Sequence, residues 1–587
     1  MKQFFKNVFA SAFGVLIGVA ILFTIGTFAL MAMIANSSGE SEYKPKNNTV
    51  FKLVLDGSIV ENNVSNPFLE LFGEKEPLSL SRILRSIRLA KESENIKGIY
   101  LETNNTSSSP ATLTAIRNAL SEFKESGKFI ISYADTYSQG GYYVASVADS
   151  VFVNPIGGVF MTGLASVGIF HSGLTDKLGI EYNIFKVGTF KGAVEPYYLK
   201  KYSDANREQI TSYQQSIWKN LTSAILKSRS ISREDFDRFV NEGLFFDDAQ
   251  KTVEMKLTDG VRYRYEVENS VKLIAEQDVN EKLIAADVNK MSRVKDKKQI
   301  KKDKIAILYA EGIIAESSSL YSMDELVINE DLIGEFRKLI KDDEIKAVVF
   351  RVNSPGGSAY ISEQIWKQVI ELKKTKPVVV SMGTYAASGG YYISCGASKI
   401  VAEPTTLTGS IGVFGVFPNM TGLFDKVGLS TDVVKTNPLA DLGNVSRPMT
   451  ENEKAILQAY VERTYDLFLS RCAEGRKMTK EAIDTIGQGR VWTGEQALEK
   501  GLVDKLGGIN TAVEEAAALA EIEDYSVIAY NSNKDFFTKL LESKLDEMKI
   551  SIIKNMLGKQ FEAFRVLSSN RPLTGIQARM PVELEGI

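Results

Sequence analysis

Ala347-Val348-Val349-Phe350-Arg351-Val352 runs directly into Asn353-Ser354-Pro355-Gly356-Gly357-Ser358. The first six residues have the β-branched and aromatic character of a buried strand, and the Pro-Gly-Gly that follows turns the chain. Past the turn, Ile361 to Leu372 carries apolar residues at helical spacing, and Val378-Val379-Val380-Ser381 starts another buried run. Upstream, Ile305-Ala306-Ile307-Leu308-Tyr309 supplies a third. Strands alternating with helices in this way predict an α/β domain of parallel crossover units. Further along, Ile456 to Cys472 predicts a long amphipathic helix. Phe536, Leu540, Leu541, Leu545, Met548 and Ile552 predict helices in the C-terminal segment.

The same module is written twice. Asn95-Ile96-Lys97-Gly98-Ile99 falls on Glu344-Ile345-Lys346-Ala347-Val348, and Phe129-Ile130-Ile131-Ser132 on Val378-Val379-Val380-Ser381. At the same offset, Gly140-Gly141-Tyr142-Tyr143 falls on Gly389-Gly390-Tyr391-Tyr392, and Gly173 to Gly179 on Gly422 to Gly428. A register held this long indicates duplication. The lysines Lys295, Lys297, Lys298, Lys301, Lys302 and Lys304 mark a solvated junction between the copies.

Ahead of both copies, Lys2 and Lys6 precede an apolar stretch, Val8 to Ala35, and no charged residue follows until Glu40. About 20 apolar residues span a bilayer core. A cleaved secretory signal has an apolar region of only ~7–15 residues, and the exit Met33-Ile34-Ala35 lacks the small residue wanted two positions before the cleavage end. An uncleaved transmembrane helix is therefore expected. Lysines before the span keep the N-terminus cytoplasmic and export the rest. The expected organisation is an anchor at 1–46, a first copy at 47–295, a second at 296–530 and a helical extension at 531–587.

Composition narrows the chemistry. The 587 residues exceed what one hydrophobic core supports. With 70 basic and 73 acidic residues the net charge is -3, which argues against a nucleic-acid binder. Two cysteines, Cys395 and Cys472, exclude a disulfide framework and a four-thiolate zinc cage. One histidine, His171, excludes multi-histidine metal sites and leaves at most one imidazole base. Neither metal nor organic cofactor is expected.

Reactive groups stand where the copies disagree. Opposite Asn353-Ser354-Pro355-Gly356-Gly357-Ser358 the first copy has Asn104-Asn105-Thr106-Ser107-Ser108-Ser109, with neither the proline nor the glycines. Such glycines can turn backbone N–H groups toward an anion, although Pro-Gly-Gly is also an ordinary tight turn. Ser388, in Tyr385-Ala386-Ala387-Ser388-Gly389-Gly390, follows a strand and precedes a helix, while its counterpart is Gln139. It reads as a nucleophile or as a plain N-cap. Lys191, in Gly188-Thr189-Phe190-Lys191-Gly192-Ala193-Val194-Glu195-Pro196, faces Ala440 in the second copy. A lone lysine is usually solvated surface charge, yet a buried neutral lysine is a general base. Each copy holds the half that the other lacks, so a Ser-Lys dyad is the economical reading.

These motifs, together with Thr408-Gly409-Ser410-Ile411-Gly412-Val413, resemble the signal peptide peptidase A family in its long, duplicated bacterial form. The resemblance covers nearly the whole chain. It implies tandem crotonase/Clp-protease-like domains and a membrane-anchored serine protease, with Ser388 as nucleophile and Lys191 as general base. It further implies backbone N–H groups of Gly389 and Gly356 at the oxyanion, and Ser410 orienting the lysine where the first copy has Met161. Cleaved signal peptides, other apolar peptides and misfolded exported proteins would be substrates, and four chains would assemble in a bacterial inner membrane with the catalytic body outside the cytoplasm. An acyl-CoA hydratase or isomerase of the same fold, or a catalytically dead membrane scaffold, are the alternatives. Cys395 is expected to be a packing residue, and His171 has no assigned partner.

Overall fold

The structure is a computed structural model describing residues 42–61, 77–296, 301–316, 326–530 and 575–580, together with 14, 17, 18 and 21. Apart from those last four positions, the apolar stretch Val8 to Ala35 lies outside the described residues. Among the described residues no helix is long and apolar enough to cross a membrane.

In the first copy, strands β1 (Thr49–Val54), β2 (Ile96–Glu102), β3 (Phe129–Ala134) and β4 (Ser150–Val153) lie side by side in that order, all parallel. Helix α1 (Gln139–Ala145) follows β3. One further strand, β5 (Glu181–Val187), leaves this sheet altogether.

The second copy repeats the order. Its β6 (Lys304–Glu311), β7 (Ile345–Ser354) and β9 (Val378–Ala387) are parallel neighbours, and the short β8 (Gly356–Ser358) follows β7. Each expected strand is longer than its apolar run, because buried parallel pairing continues past the β-branched residues. Helix α2 (Ala359–Lys373) joins β8 to β9, and a single residue, Ser388, separates β9 from α3 (Gly389–Ser394). Strand β10 (Leu407–Gly409) continues the sheet, β11 (Val413–Asn419) departs from it, and α4 (Glu451–Arg476) matches the long amphipathic helix expected.

The glycine-tyrosine motif shared by the copies is architectural. A Cβ on Gly390 would stand 2.5 Å from the Ser354 carbonyl oxygen, and one on Gly141 2.8 Å from that of Thr103, so both helices press on a strand end. Tyr142 and Tyr391 are wholly buried, and their hydroxyls donate to the Leu257 and Leu502 carbonyls.

Two features knit the copies together. Strand β5 pairs antiparallel with β11, from Val187 opposite Val413 to Glu181 opposite Asn419. Elsewhere, buried Arg351 on β7 makes a bidentate pair with Glu61 of the first copy, at 2.9 and 2.8 Å, and donates to Ser381 Oγ and the Met382 carbonyl.

The helical extension expected at 531–587 is described only at 575–580, where it is not helical. Gly575–Arg579 forms strand β12, antiparallel to both β8 and β11, because their open edges offer backbone partners on either side. The apolar positions Phe536 to Ile552 lie outside the described residues.

Removing one partner of a buried ion pair typically costs about 3–5 kcal/mol. Glu61→Ala should lower stability in chemical denaturation by about that much. A loss under about 1 kcal/mol would show that the pair does not tie the copies together.

Candidate active site

Strand β9 delivers Ser388 at its end, in a backbone conformation of φ 55° and ψ -112° that non-glycine residues rarely adopt. Such strain costs roughly 1–3 kcal/mol and persists where surrounding structure over-determines it. Here the Ser388 N–H donates to the Gly409 carbonyl at 2.7 Å, and the Ser388 carbonyl accepts from the Tyr392 N–H at 2.8 Å. Ser410, also at positive φ, is fixed by its N–H to the Arg490 carbonyl at 2.7 Å.

Lys191 arrives from the first copy. The β5–β11 pairing ends at Val187 and Val413, and the next turn brings residue 191 beside Ser388 and Ser410. Gly489 of the second copy clasps it: a Cβ there would stand 2.7 Å from the Lys191 nitrogen. The Phe190 N–H donates to the Gln488 carbonyl at 2.8 Å, and Gln209 Nε2 donates to the Phe190 carbonyl at 2.7 Å. After the lysine, the buried Glu195 carboxylate accepts from Ser203 and Asn206. This accounts for Gly192 and Glu195 in the motif, since a Cβ on Gly192 would strike Asn206.

Lys191 is wholly buried. Its Nζ stands 2.7 Å from Ser388 Oγ, 3.1 Å from the Ser410 carbonyl oxygen and 3.2 Å from Ser410 Oγ. A neutral amine has two N–H groups and one lone pair. Giving both N–H groups to Ser410 leaves the lone pair to accept the Ser388 hydroxyl. Burial pushes the lysine pKa well below its ordinary 10.5. The arrangement can therefore draw a proton from a serine hydroxyl.

Gly356, at φ 101°, lies close to Gly389: a Cβ on it would stand 2.7 Å from the Gly389 nitrogen. The Gly356 N–H donates to Ser354 Oγ at 3.1 Å, so this one donor would be shared between that oxygen and an oxyanion.

The vestigial counterparts are occupied differently. Gln139 Oε1 accepts from the Thr162 and Gly163 N–H groups at 3.2 and 3.0 Å, filling the place that Ser388 holds in the second copy. Met161 is buried in the first core, and Ala440 lies on an exposed segment. Cys395 and Cys472 are buried free thiols packed in the second core, and His171 opens the helix Ser172–Leu178, apart from the dyad. Sequence reasoning missed Gln209, Gln488 and Gly489, whose roles exist only once residue 191 crosses between copies.

The model of peptidase family S49 matches residues 122–278 and 370–523. Protease 4 of Salmonella typhi is 34% identical over 521 residues, covering 84% of this chain and 81% of that protein. Protease 4 of Haemophilus influenzae is 34% identical over 533 residues, covering 85% and 84%. Among solved structures, a ClpP1 mutant from Listeria monocytogenes matches 36% of this chain and 95% of its own at a TM-score of 0.23 and 15% identity.

With the Lys191 pKa depressed in the folded state, the unfolded chain binds one more proton between that depressed value and 10.5. Stability gained from this group therefore rises with pH across the window and is lost as pH falls, by about 1.4 kcal/mol per unit. Between about pH 9 and pH 10, Lys191→Met should lower the slope of stability against pH by that amount relative to wild type. Equal slopes would mean that the lysine is charged when folded.

Proposed function

Because this chain belongs to peptidase family S49 and is a serine peptidase, we propose that it hydrolyses peptide bonds with Ser388 as nucleophile and Lys191 as general base. The observation that carries this is the 2.7 Å approach of a wholly buried amine to Ser388 Oγ, with the Ser410 carbonyl and hydroxyl oxygens at 3.1 and 3.2 Å as acceptors for the amine hydrogens. Lys191 takes the Ser388 proton as Oγ attacks the carbonyl carbon. The tetrahedral oxyanion is held by the Gly389 and Gly356 N–H groups, each typically contributing about 2.7–4 kcal/mol. Protonated Lys191 then gives its proton to the leaving amine, and the neutral amine activates water to release the acyl group. Ser410 orients the lysine without touching substrate.

The substrates are cleaved signal peptides and other apolar peptides, misfolded exported proteins included. The Val8 to Ala35 stretch anchors the chain in a bacterial inner membrane, with the N-terminus cytoplasmic and the body outside it. Such a body meets apolar peptides where they leave the bilayer. Assembly into a tetramer is supported by exposed apolar residues, Ile156, Val167 and Ile169 in the first copy and Leu429 and Val434 in the second.

Ser388→Ala and Lys191→Ala should each lower peptide hydrolysis by a factor on the order of 10⁴ or more. Lys191→Arg should be equally inactive, since a guanidinium keeps its proton. A serine-directed fluorophosphonate probe should label wild type at Ser388 and fail on Lys191→Ala. Normal turnover in Lys191→Ala would refute the dyad. Wild-type activity should rise with pH through an apparent pKa below 10.5. Ser410→Ala should shift that pKa and lower kcat roughly three- to tenfold, the worth of one hydrogen bond; an unmoved profile would remove Ser410 from its orienting role.

A further inference from the structure

Five consecutive residues of the second copy, Gln488 to Trp492, wall the space that receives Lys191. The Gln488 carbonyl accepts from the Phe190 N–H at 2.8 Å, and a Cβ on Gly489 would stand 2.7 Å from the Lys191 nitrogen. The Arg490 carbonyl accepts from the Ser410 N–H at 2.7 Å. The Val491 N–H donates to Gln209 Oε1 at 3.0 Å, and Gln209 Nε2 donates to the Phe190 carbonyl at 2.7 Å. Val491 and Trp492 also pair antiparallel with Gly409 and Thr408 of β10, and the Gly409 carbonyl accepts from the Ser388 N–H. The backbone of this strip therefore reaches Lys191, Ser410 and, through Gly409, Ser388.

One side chain of the strip joins the two copies directly. The Arg490 guanidinium lies over two rings, 4.6 Å from the centroid of Phe190 and 4.5 Å from that of Trp492. Phe190 immediately precedes Lys191 and is only half-buried. Trp492 is the fixed ring, 8% exposed and with its Nε1 donating to the Ile486 carbonyl at 2.9 Å. Arg490 also pairs at 2.9 Å with Glu208, on the helix Asp204–Arg229 that carries Gln209. The Glu208 side chain is 59% exposed, so that ion pair contributes little. Among the described residues the buried Arg490 Nε has no hydrogen-bond partner. Ring contact is what holds this side chain, and a planar guanidinium suits it as an ammonium does not. The outer side of Arg490 lines an open groove with Arg207, Glu208, Glu495 and Glu499. Ser388, Lys191 and Ser410 do not line that groove, so Arg490 is reached from outside the catalytic cleft.

We propose that Arg490 is a positioning residue, which bridges the Phe190 ring to Trp492 and so holds the Lys191 amine against Ser388. The proposal rests on the Ser388–Lys191 reading and adds the side chain that keeps the amine in place. Without the guanidinium, Phe190 loses its contact with the second copy and the turn from Gly188 to Lys191 loosens. Water then reaches the amine and favours its charged form, which is no base. The effect falls on the base and not on substrate binding.

The test is the pH dependence of kcat and KM for a peptide substrate, measured on the purified full chain with folding checked by circular dichroism. Arg490→Ala should lower kcat about tenfold, leave KM within about twofold and move the rise of activity to higher pH. Arg490→Lys keeps the charge without the planar face, and should shift the profile in the same direction by less. In a Phe190→Leu background, Arg490→Ala should lower kcat by less than about twofold more, because the contact it removes is already gone. An unmoved pH profile in folded Arg490→Ala, a loss confined to KM, or additive losses in the double variant each overturn the assignment. Should Arg490→Ala not fold, Arg490→Lys decides, and a wild-type profile there overturns it. Lys191→Ala is assayed alongside. Normal turnover in that variant overturns the dyad and the role of Arg490 with it. An inactive Lys191→Ala beside a wild-type Arg490→Ala overturns the role of Arg490 alone.

Discussion

Seven residues of backbone, Glu181–Val187, leave the first copy and pair antiparallel with Val413–Asn419 of the second. That pairing sets the register of everything after it. Val187 opposite Val413 places the turn of Gly188 to Phe190 against Gln488 and Gly489, and Lys191 can then only enter the space between Ser388 and Ser410. A slip of one residue would exchange the two faces of β5 and withdraw the amine. The proposed catalytic pair, Ser388 and Lys191, is therefore brought together by strand pairing between the copies of one chain.

Burying the amine is what gives it a use. In water a lysine is charged and is no base near neutral pH. Among the described residues no carboxylate offsets this burial, and desolvation pushes the Lys191 pKa down. Ser410 supplies both hydrogen-bond acceptors that the neutral amine needs, its carbonyl and its hydroxyl. Duplication permits this division. One copy keeps the serine and the glycine turn, the other keeps the lysine, and each abandoned position has been filled, as by the Gln139 side chain on Thr162 and Gly163. The Arg351–Glu61 pair holds the strand that leads to Gly356 against the same partner copy.

Much of this was legible in the sequence. Buried parallel strands advertise themselves as unbroken β-branched runs, so the runs inside β6, β7 and β9 were readable, although β9 continues six residues past Ser381. Ser388 and Lys191 stood out because their counterparts, Gln139 and Ala440, cannot do the same chemistry. Other features were illegible for physical reasons. Gly489 and Gln488 matter only through a neighbour from the other copy, and nothing local marks them. Gly575–Arg579 has no strand pattern of its own, since its conformation is imposed by the edges of β8 and β11. The apolar residues from Phe536 to Ile552 suggested helix for the whole segment, but periodicity at one place says nothing about a strand captured further on.

The central claim is that Lys191 is an uncharged amine in the folded protein. It is tested most directly by titrating the side-chain nitrogen resonances of lysine-labelled protein, with Lys191 identified as the signal missing from Lys191→Met. The account predicts that the Lys191 nitrogen loses its proton at a pH well below 10.5, the ordinary value for a lysine. A Lys191 signal that remains ammonium up to about pH 10 would contradict it.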